Sequence, residues 1–486
     1  MAYVDEGHFL HATFGMIRDG TWDSRQYLYP QLPRIAVAAV ARVEDGVRQL
    51  GGRASLRDRI PPSVETYDEL EPFVFLVTAR ALSVAVGLAI VVITGLFARR
   101  LTGPVAGAVA ALLAAFVPAL VLRGSIASVD SYAALAAIGV LAVTDLSRTT
   151  RRPLIAALAA GGLAGAAFGS KYPAVLVFLA FVGTTALLGI SPGEKIRRLV
   201  VGSVGLILGT LLAMPALWWH PGEILHALQV QRSGYASGVW EPSLWHQALV
   251  EAESTLHYGR PEIGIAFCVL AFTGLLIGFR RPDLRPSVVG WCAFIAALLI
   301  LFGSQGSRPF RNLLPLVPLG CVSAGIGYAG IRSLARRPAA VDAVGSVLLV
   351  VLFVAPLAAY AKRRFELQDP RRLAVDWLAV NARPGDAVVV AQDLAILDGE
   401  MARVPGRVDC VGWDELPVRI RDAMPRLVVA GVLMRPDHSV DSAAEWPELA
   451  GYRITLRVGE KPTPPFLNWW RGNEQIVVVL ERKAPG

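Results

Sequence analysis

Ten apolar runs, separated by short charged connections, fill the middle of this 486-residue chain. They lie at roughly 73–98, 103–122, 130–146, 153–169, 172–190, 199–217, 262–279, 286–303, 312–331 and 339–361. Several approach the roughly 20 residues that a helix needs to cross a bilayer. The pattern predicts a polytopic membrane domain over 73–361 with about ten spans, interrupted by one long connection at 218–261. Ahead of it, residues 1–72 are mixed and mostly polar. Within them, 7–18 and 33–44 (PRIAVAAVARVE) have amphipathic spacing, the second with Pro33 near its start. Both suit helices lying on a membrane or protein surface. Residues 48–72, with Gly51-Gly52 and Pro61-Pro62, read as loop.

The period changes in the tail. Asp369-Pro370 is a good helix start before RRLAVDWLAVNA. Strand-like runs follow at 387–391, 427–433, 452–458 and 475–480. Residues 362–486 therefore read as a small soluble α/β domain. It carries no Gly-rich phosphate loop, which suits recognition or stabilisation better than chemistry.

Charge orients the spans. Alternate connections hold fourteen basic residues, from Arg99 and Arg100 to Arg336 and Arg337. The other short connections hold four: Arg123, Lys171, Arg308 and Arg311. Basic loops stay in the cytoplasm, so residues 1–72, the long connection and the tail are expected outside a cytoplasmic (inner) membrane. Lys362, Arg363 and Arg364 run against this, but long domains translocate largely regardless of charge. All seven histidines fall in the outer segments, and Trp218, Trp219, Trp240 and Trp245 cluster in 218–261.

Composition agrees. The chain is 54% hydrophobic with a formal net charge of +8. In a membrane protein that excess reflects loop asymmetry and gives no argument for nucleic acid. Cys268, Cys292, Cys321 and Cys410 show neither metal-ligand spacing nor a disulfide framework. Gly161, Gly165 and Gly169 form a small-residue stripe of the kind that packs helices.

The candidate chemistry lies at one face. Asp5 and Glu6 stand side by side before a short half-apolar run. Acid pairs open many helices, because carboxylates favour the positive end of the helix dipole. Arg80 lies within the first span, Asp130 opens the third, Lys171 sits in the tight turn GSKYP, and Arg311 precedes NLLPLVPL. Each cation could snorkel or form a structural ion pair. Together the six suit sugar transfer from a lipid phosphate. A carboxylate would activate the acceptor hydroxyl as general base, and cations would stabilise the departing phosphate.

In DEGHF at 5–9, the G-x-W turn at Gly20–Trp22, YPQLP at 29–33, ARALS at 79–83, SVDSY at 128–132, GLAGAAFGSKYPAVL at 162–176 and RNLLPLVP at 311–318, the chain resembles one family. That family is the GT-C membrane glycosyltransferases, in the group containing protein O-mannosyltransferases and lipid A aminoarabinose transferases. The resemblance implies a multi-pass α-helical GT-C-like membrane protein with a C-terminal soluble α/β domain. It implies an inverting transferase with a polyprenyl-phosphate-sugar donor and a lipid, protein or glycan acceptor. It places the catalytic acid on Asp5, supported by Glu6, and a second acid on Asp130. Lys171 and Arg311 fall on the family's cations, with Arg80 as a further donor-phosphate ligand. Asn312 stands where the family carries an aromatic. Family members carry a membrane helix ahead of the acidic pair, so an upstream helix is expected to be needed for full activity. No metal ligands are assigned, although outer acids and histidines could hold a divalent cation.

Two other classes compete. A transporter or flippase would show inverted repeats and ionisable residues near mid-membrane; no repeat is visible and the charges gather at one face. A non-catalytic membrane scaffold would tolerate loss of Asp5.

Overall fold

The computed structural model describes residues 4–52, 76–236, 265–303, 310–349, 370–391, 401–411, 415–431, 447–449, 451–458 and 477–483, with single positions 351, 354 and 396. The chain divides into two compact units. One is 12–55 with 77–358; the other is 359–486 with 1–11 and 56–76.

The two expected N-terminal helices form as α1 (Val4–Arg18) and α2 (Leu32–Leu50). The second runs several residues further than its apolar spacing suggested, so 48–50 are helix instead of loop. Each of the ten apolar runs forms helix. They give α3 (Leu76–Thr102), α4 (Pro104–Phe116), α5 (Pro118–Gly124), α6 (Val129–Thr149), α7 (Pro153–Ser170), α8 (Phe178–Ala186) and α9 (Pro192–Ala213). After α10 (Ala216–Trp219) and α11 (Pro221–Ala236) come α12 (Ile265–Arg280), α13 (Arg285–Gly303), α14 (Val317–Leu334) and α15 (Pro338–Leu349). Tight 3₁₀ segments, Tyr172–Val177 and Phe310–Leu316, lead into α8 and α14. Among the described residues, six helical stretches are long and apolar enough to cross a membrane: 76–102, 129–149, 153–170, 192–213, 285–302 and 311–334. The other apolar runs are shorter. Pro118 divides one of them, because it holds Val117 extended (ψ 120°) and ends α4.

α6 is the hub. Of its spanning window 78% is buried, against 22% for α9. Its alanines and Ile138, Val140 and Leu141 pack with Trp291, Phe294 and Leu298 of α13 and Val322 of α14. The expected small-residue stripe does pack helices. A side chain at Gly161 would overlap the Gly202 carbonyl of α9, and one at Gly169 would overlap Ala213. This contact fixes α7, and with it the residue that follows α7.

The last turn of α6 is tied down by a polar knot. Asp145 accepts from Arg148 Nη1 (2.8 Å) and Ser287 Oγ (3.1 Å), and Arg100 Nε lies 3.5 Å away. Arg198 donates to the Ser147 carbonyl at 3.2 Å. Arg100, Arg148 and Arg198 thus join several connections at this end of the bundle.

The second unit contains a five-stranded sheet: β1 (Ala387–Ala391), β2 (Arg407–Val411), β3 (Leu427–Gly431), β4 (Tyr452–Val458) and β5 (Val477–Arg482), in the order β2-β1-β3-β5-β4. β1 is parallel to β2 and β3, and β5 is antiparallel to β3 and β4. α16 (Pro370–Asn381) precedes β1 as its Pro start predicted, and α17 (Leu416–Ala423) connects β2 to β3. The core combines Ala374, Val375 and Leu378 with Val388–Val390 and Val477–Leu480. The α/β expectation holds for the described tail.

Candidate functional site

α7 stops at Ser170, and Lys171 is extended (φ −156°, ψ 120°). Pro173, two residues on, has no N–H to continue the ladder. Lys171 is thereby turned back into the bundle. Its Nζ donates to Asp130 Oδ1 at 2.6 Å, with side-chain exposures of 8% and 3%. It also reaches the Arg311 carbonyl at 3.4 Å. Asp130 occupies the first turn of α6, where the helix dipole favours a carboxylate. Arg311 and Arg123 lie close enough to act electrostatically on both members of the pair. Asp130 thus has three cations within electrostatic reach: Lys171, Arg311 and Arg123.

Unpaired polar atoms surround this pair. Among the described residues, buried Ser128 Oγ and both ends of the buried Asn312 amide have no hydrogen-bond partner. Ser128 caps the helix that carries Asp130, and Asn312 follows Arg311. Buried polar groups are normally paired, so a ligand's polar atoms would complete this shell.

The loop between α1 and α2 closes against the same end. Tyr172 Oη donates to the Tyr27 carbonyl at 2.6 Å. Asp23 accepts from Tyr27 Oη and Gln31 Nε2, both at 2.9 Å, and from the Arg25 backbone N–H at 3.0 Å. Desolvation, more than the Asp23 bond, raises the Tyr27 phenol well above its ordinary value, so it stays a donor. His220 places Nε2 3.5 Å from Asp23 Oδ2 and Nδ1 3.1 Å from Glu223 Oε1, and stacks on Tyr27. Arg25 holds a positive φ of 49°, a strained conformation that only an over-determined loop keeps. Arg42 packs 3.8 Å from the Trp22 ring centroid and donates to the Met16 and Thr21 carbonyls.

The structure thus brings together three of the six expected residues: Asp130, Lys171 and Arg311. Arg80 is half-buried in the second turn of α3. One turn further along, Ser83 meets Tyr132 of α6, two residues past Asp130. The backbone of Asp5 and Glu6 is helical in α1, but their side chains lie outside the described residues, as do Trp240 and Trp245. Among the described residues no group of three or more His, Cys, Asp or Glu could hold a metal ion. Arg123, Tyr172 and Asp23 were not expected at the site. Arg123 gave a signal as one of four basic residues in the sparsely charged connections, and Tyr172 lies in the GSKYP turn.

Residues 75–219 match the family described as "Dolichyl-phosphate-mannose-protein mannosyltransferase". The match encloses Arg80, Asp130 and Lys171. No curated protein matches by sequence. Among solved structures, ArnT from Cupriavidus metallidurans bound to undecaprenyl phosphate superposes with a TM-score of 0.53 at 16% identity, covering 99% of this chain and 94% of that one. The Archaeoglobus fulgidus oligosaccharyltransferase in its apo form gives 0.52 at 12%, covering 88% and 66%. Its complex with an inhibitory peptide and a dolichol-phosphate gives 0.52 at 11%, covering 88% and 65%. The matched segment therefore lies within a GT-C fold, a multi-pass helical membrane protein with a C-terminal sheet region.

Proposed function

We propose that the protein is an inverting glycosyltransferase that moves a sugar from a polyprenyl-phosphate donor to an acceptor at the outer side of the inner membrane. The observation that carries this reading is the buried Lys171–Asp130 pair with Arg311 and Arg123 around it. It gathers cations of the kind that would hold a lipid phosphate beside the first turn of α6. The mannosyltransferase-family match over that region and the undecaprenyl phosphate and dolichol-phosphate complexes of the structural neighbours support it.

In this reading Asp5 takes the proton of the acceptor hydroxyl, and the hydroxyl oxygen attacks the anomeric carbon from the face opposite the phosphate. The bond from that carbon to the phosphate oxygen breaks, and the configuration inverts. Lys171, Arg311 and Arg80 bind the phosphate and stabilise the negative charge it gains. Glu6 orients the acidic turn. Asp130 acts as the second acid of the site by holding Lys171 in place. Residues 1–72 form the acidic outer segment, 73–361 the membrane domain of about ten spans, and 362–486 an outer domain that tunes acceptor recognition.

Reconstitution in lipid vesicles with a radiolabelled polyprenyl-phosphate sugar tests the reading. Transfer of label to envelope lipid, protein or glycan is expected, and accumulation of free polyprenyl phosphate with it. Transport of the intact lipid-linked sugar across the bilayer without any cleavage would overturn it.

A further inference from the structure

Arg34, in the first turn of α2, is 1% exposed. Its side chain makes two hydrogen bonds, both from Nη1, to Ser24 Oγ (3.1 Å) and the Gln26 carbonyl (2.5 Å). Nε is buried with no partner, and Nη2 makes no hydrogen bond to a described residue. No described carboxylate acts on the group; the polar side chains that do are Tyr172 and Tyr29. Burial pushes the guanidinium down to about 10, so it remains a cation at neutral pH. Burying such a cation without a counter-charge is costly. The two Nη1 bonds staple the loop, but an uncharged donor could make them too. What an arginine adds is the Nε/Nη2 edge, the fork that fits two oxygens of one phosphate or carboxylate. The guanidinium lies within electrostatic reach of Tyr172, the residue after Lys171, and α2 packs on α7.

We infer that Arg34 is an anion-binding residue, whose open Nε/Nη2 edge takes phosphate oxygens of the lipid-linked substrate. Naming the anion as a lipid phosphate rests on the proposed glycosyl transfer; the open edge does not.

The test uses the full chain in lipid nanodiscs, with undecaprenyl phosphate and, in parallel, inorganic phosphate as probes. Arg34→Lys keeps the charge and a donor for Ser24 and Gln26 but removes the fork. Its ligand-free melting temperature is expected to stay at the wild-type value while affinity for undecaprenyl phosphate falls about 10- to 100-fold. Arg34→Gln removes the buried charge. It should melt no lower than wild type without ligand and show a similar loss of affinity. Wild-type affinity in Arg34→Lys would overturn the proposal. So would a loss of affinity that appears only with a lowered ligand-free melting temperature, since Arg34 would then serve the fold alone. Protection of wild type by inorganic phosphate but not by the lipid would overturn the lipid-linked assignment. Lys171→Met separates this proposal from the donor site itself. If it binds undecaprenyl phosphate normally while Arg34→Lys does not, the role of Lys171 falls and that of Arg34 stands.

Discussion

Lys171 and Asp130 are 41 positions apart in the chain and 2.6 Å apart in space, and both are buried. Removing one partner leaves the other charged in a low-dielectric site. Asp130→Asn should therefore destabilise the bundle by about 3–5 kcal/mol. The double variant Asp130→Asn with Lys171→Met should recover most of that loss. Thermal unfolding in nanodiscs reads both. Equal stability of the single and double variants would show that the two charges do not depend on each other.

Arg80 and Lys171 separate binding from folding differently. Arg80→Met is expected to raise the donor KM, by about 10- to 150-fold if the phosphate contact is direct, the equivalent of ~1.5–3 kcal/mol. Lys171→Met carries the stability cost just described, so its kinetics are best read in the background of Asp130→Asn. Unchanged donor saturation in Arg80→Met would remove Arg80 from the phosphate site.

Asp5 and Glu6 divide chemistry from support. Asp5→Asn keeps the side-chain shape and loses a basic oxygen, so kcat should fall by roughly 10²–10⁴ with little change in donor binding. Glu6→Gln should cost less. Full turnover by Asp5→Asn would end its assignment as the base.

The C-terminal sheet should weaken in acid. Arg453 and Glu481 are register partners on β4 and β5. Arg453 Nη2 donates to Glu481 Oε2 at 2.9 Å, and Arg426 Nη2 to Oε1 at 3.1 Å. These bonds, that of Arg453 first, hold the Glu481 carboxyl below its usual range. A carboxyl lowered in the folded state stabilises fully above its unfolded value, about 4.3, and loses that contribution as pH falls through the folded one. Pepsin susceptibility of the sheet should rise below roughly pH 4, and Glu481→Gln should flatten that dependence. An identical acid profile in the variant would exclude Glu481 as its source.

Much of the fold was legible because it rests on one strong signal. Lipid demands long apolar runs, and each of the ten became helix. The polar pattern was harder to read. PRIAVAAVARVE read as an amphipathic surface helix and gave Arg34 no particular place, yet the structure buries it. Spacing shows which residues share a face, not which face docks. Arg100, Arg148 and Arg198 had weight only as topology signals, and here they lace one end of α6. β2 was missed because RVDCV is a short, half-exposed edge strand in which only Val408, Cys410 and Val411 are apolar. Asp130, Lys171 and Arg311 were placed at one face from charge and order alone, whereas the Asp23–Tyr27–His220 contacts join positions nearly 200 residues apart and leave no local mark.

The enclosure of α6 has a consequence for how the protein is made. Asp130 and Asp145 are covered in the finished bundle, and they stand near opposite ends of α6. A cation made before each lies near it, Arg123 near Asp130 and Arg100 near Asp145. Lys171 and Ser287 are still unsynthesised when α6 leaves the ribosome, so the helix first meets the bilayer with its carboxylates toward the two headgroup layers, where a charge costs least. The closest partners, Lys171 and Ser287, close over them only as the later helices arrive.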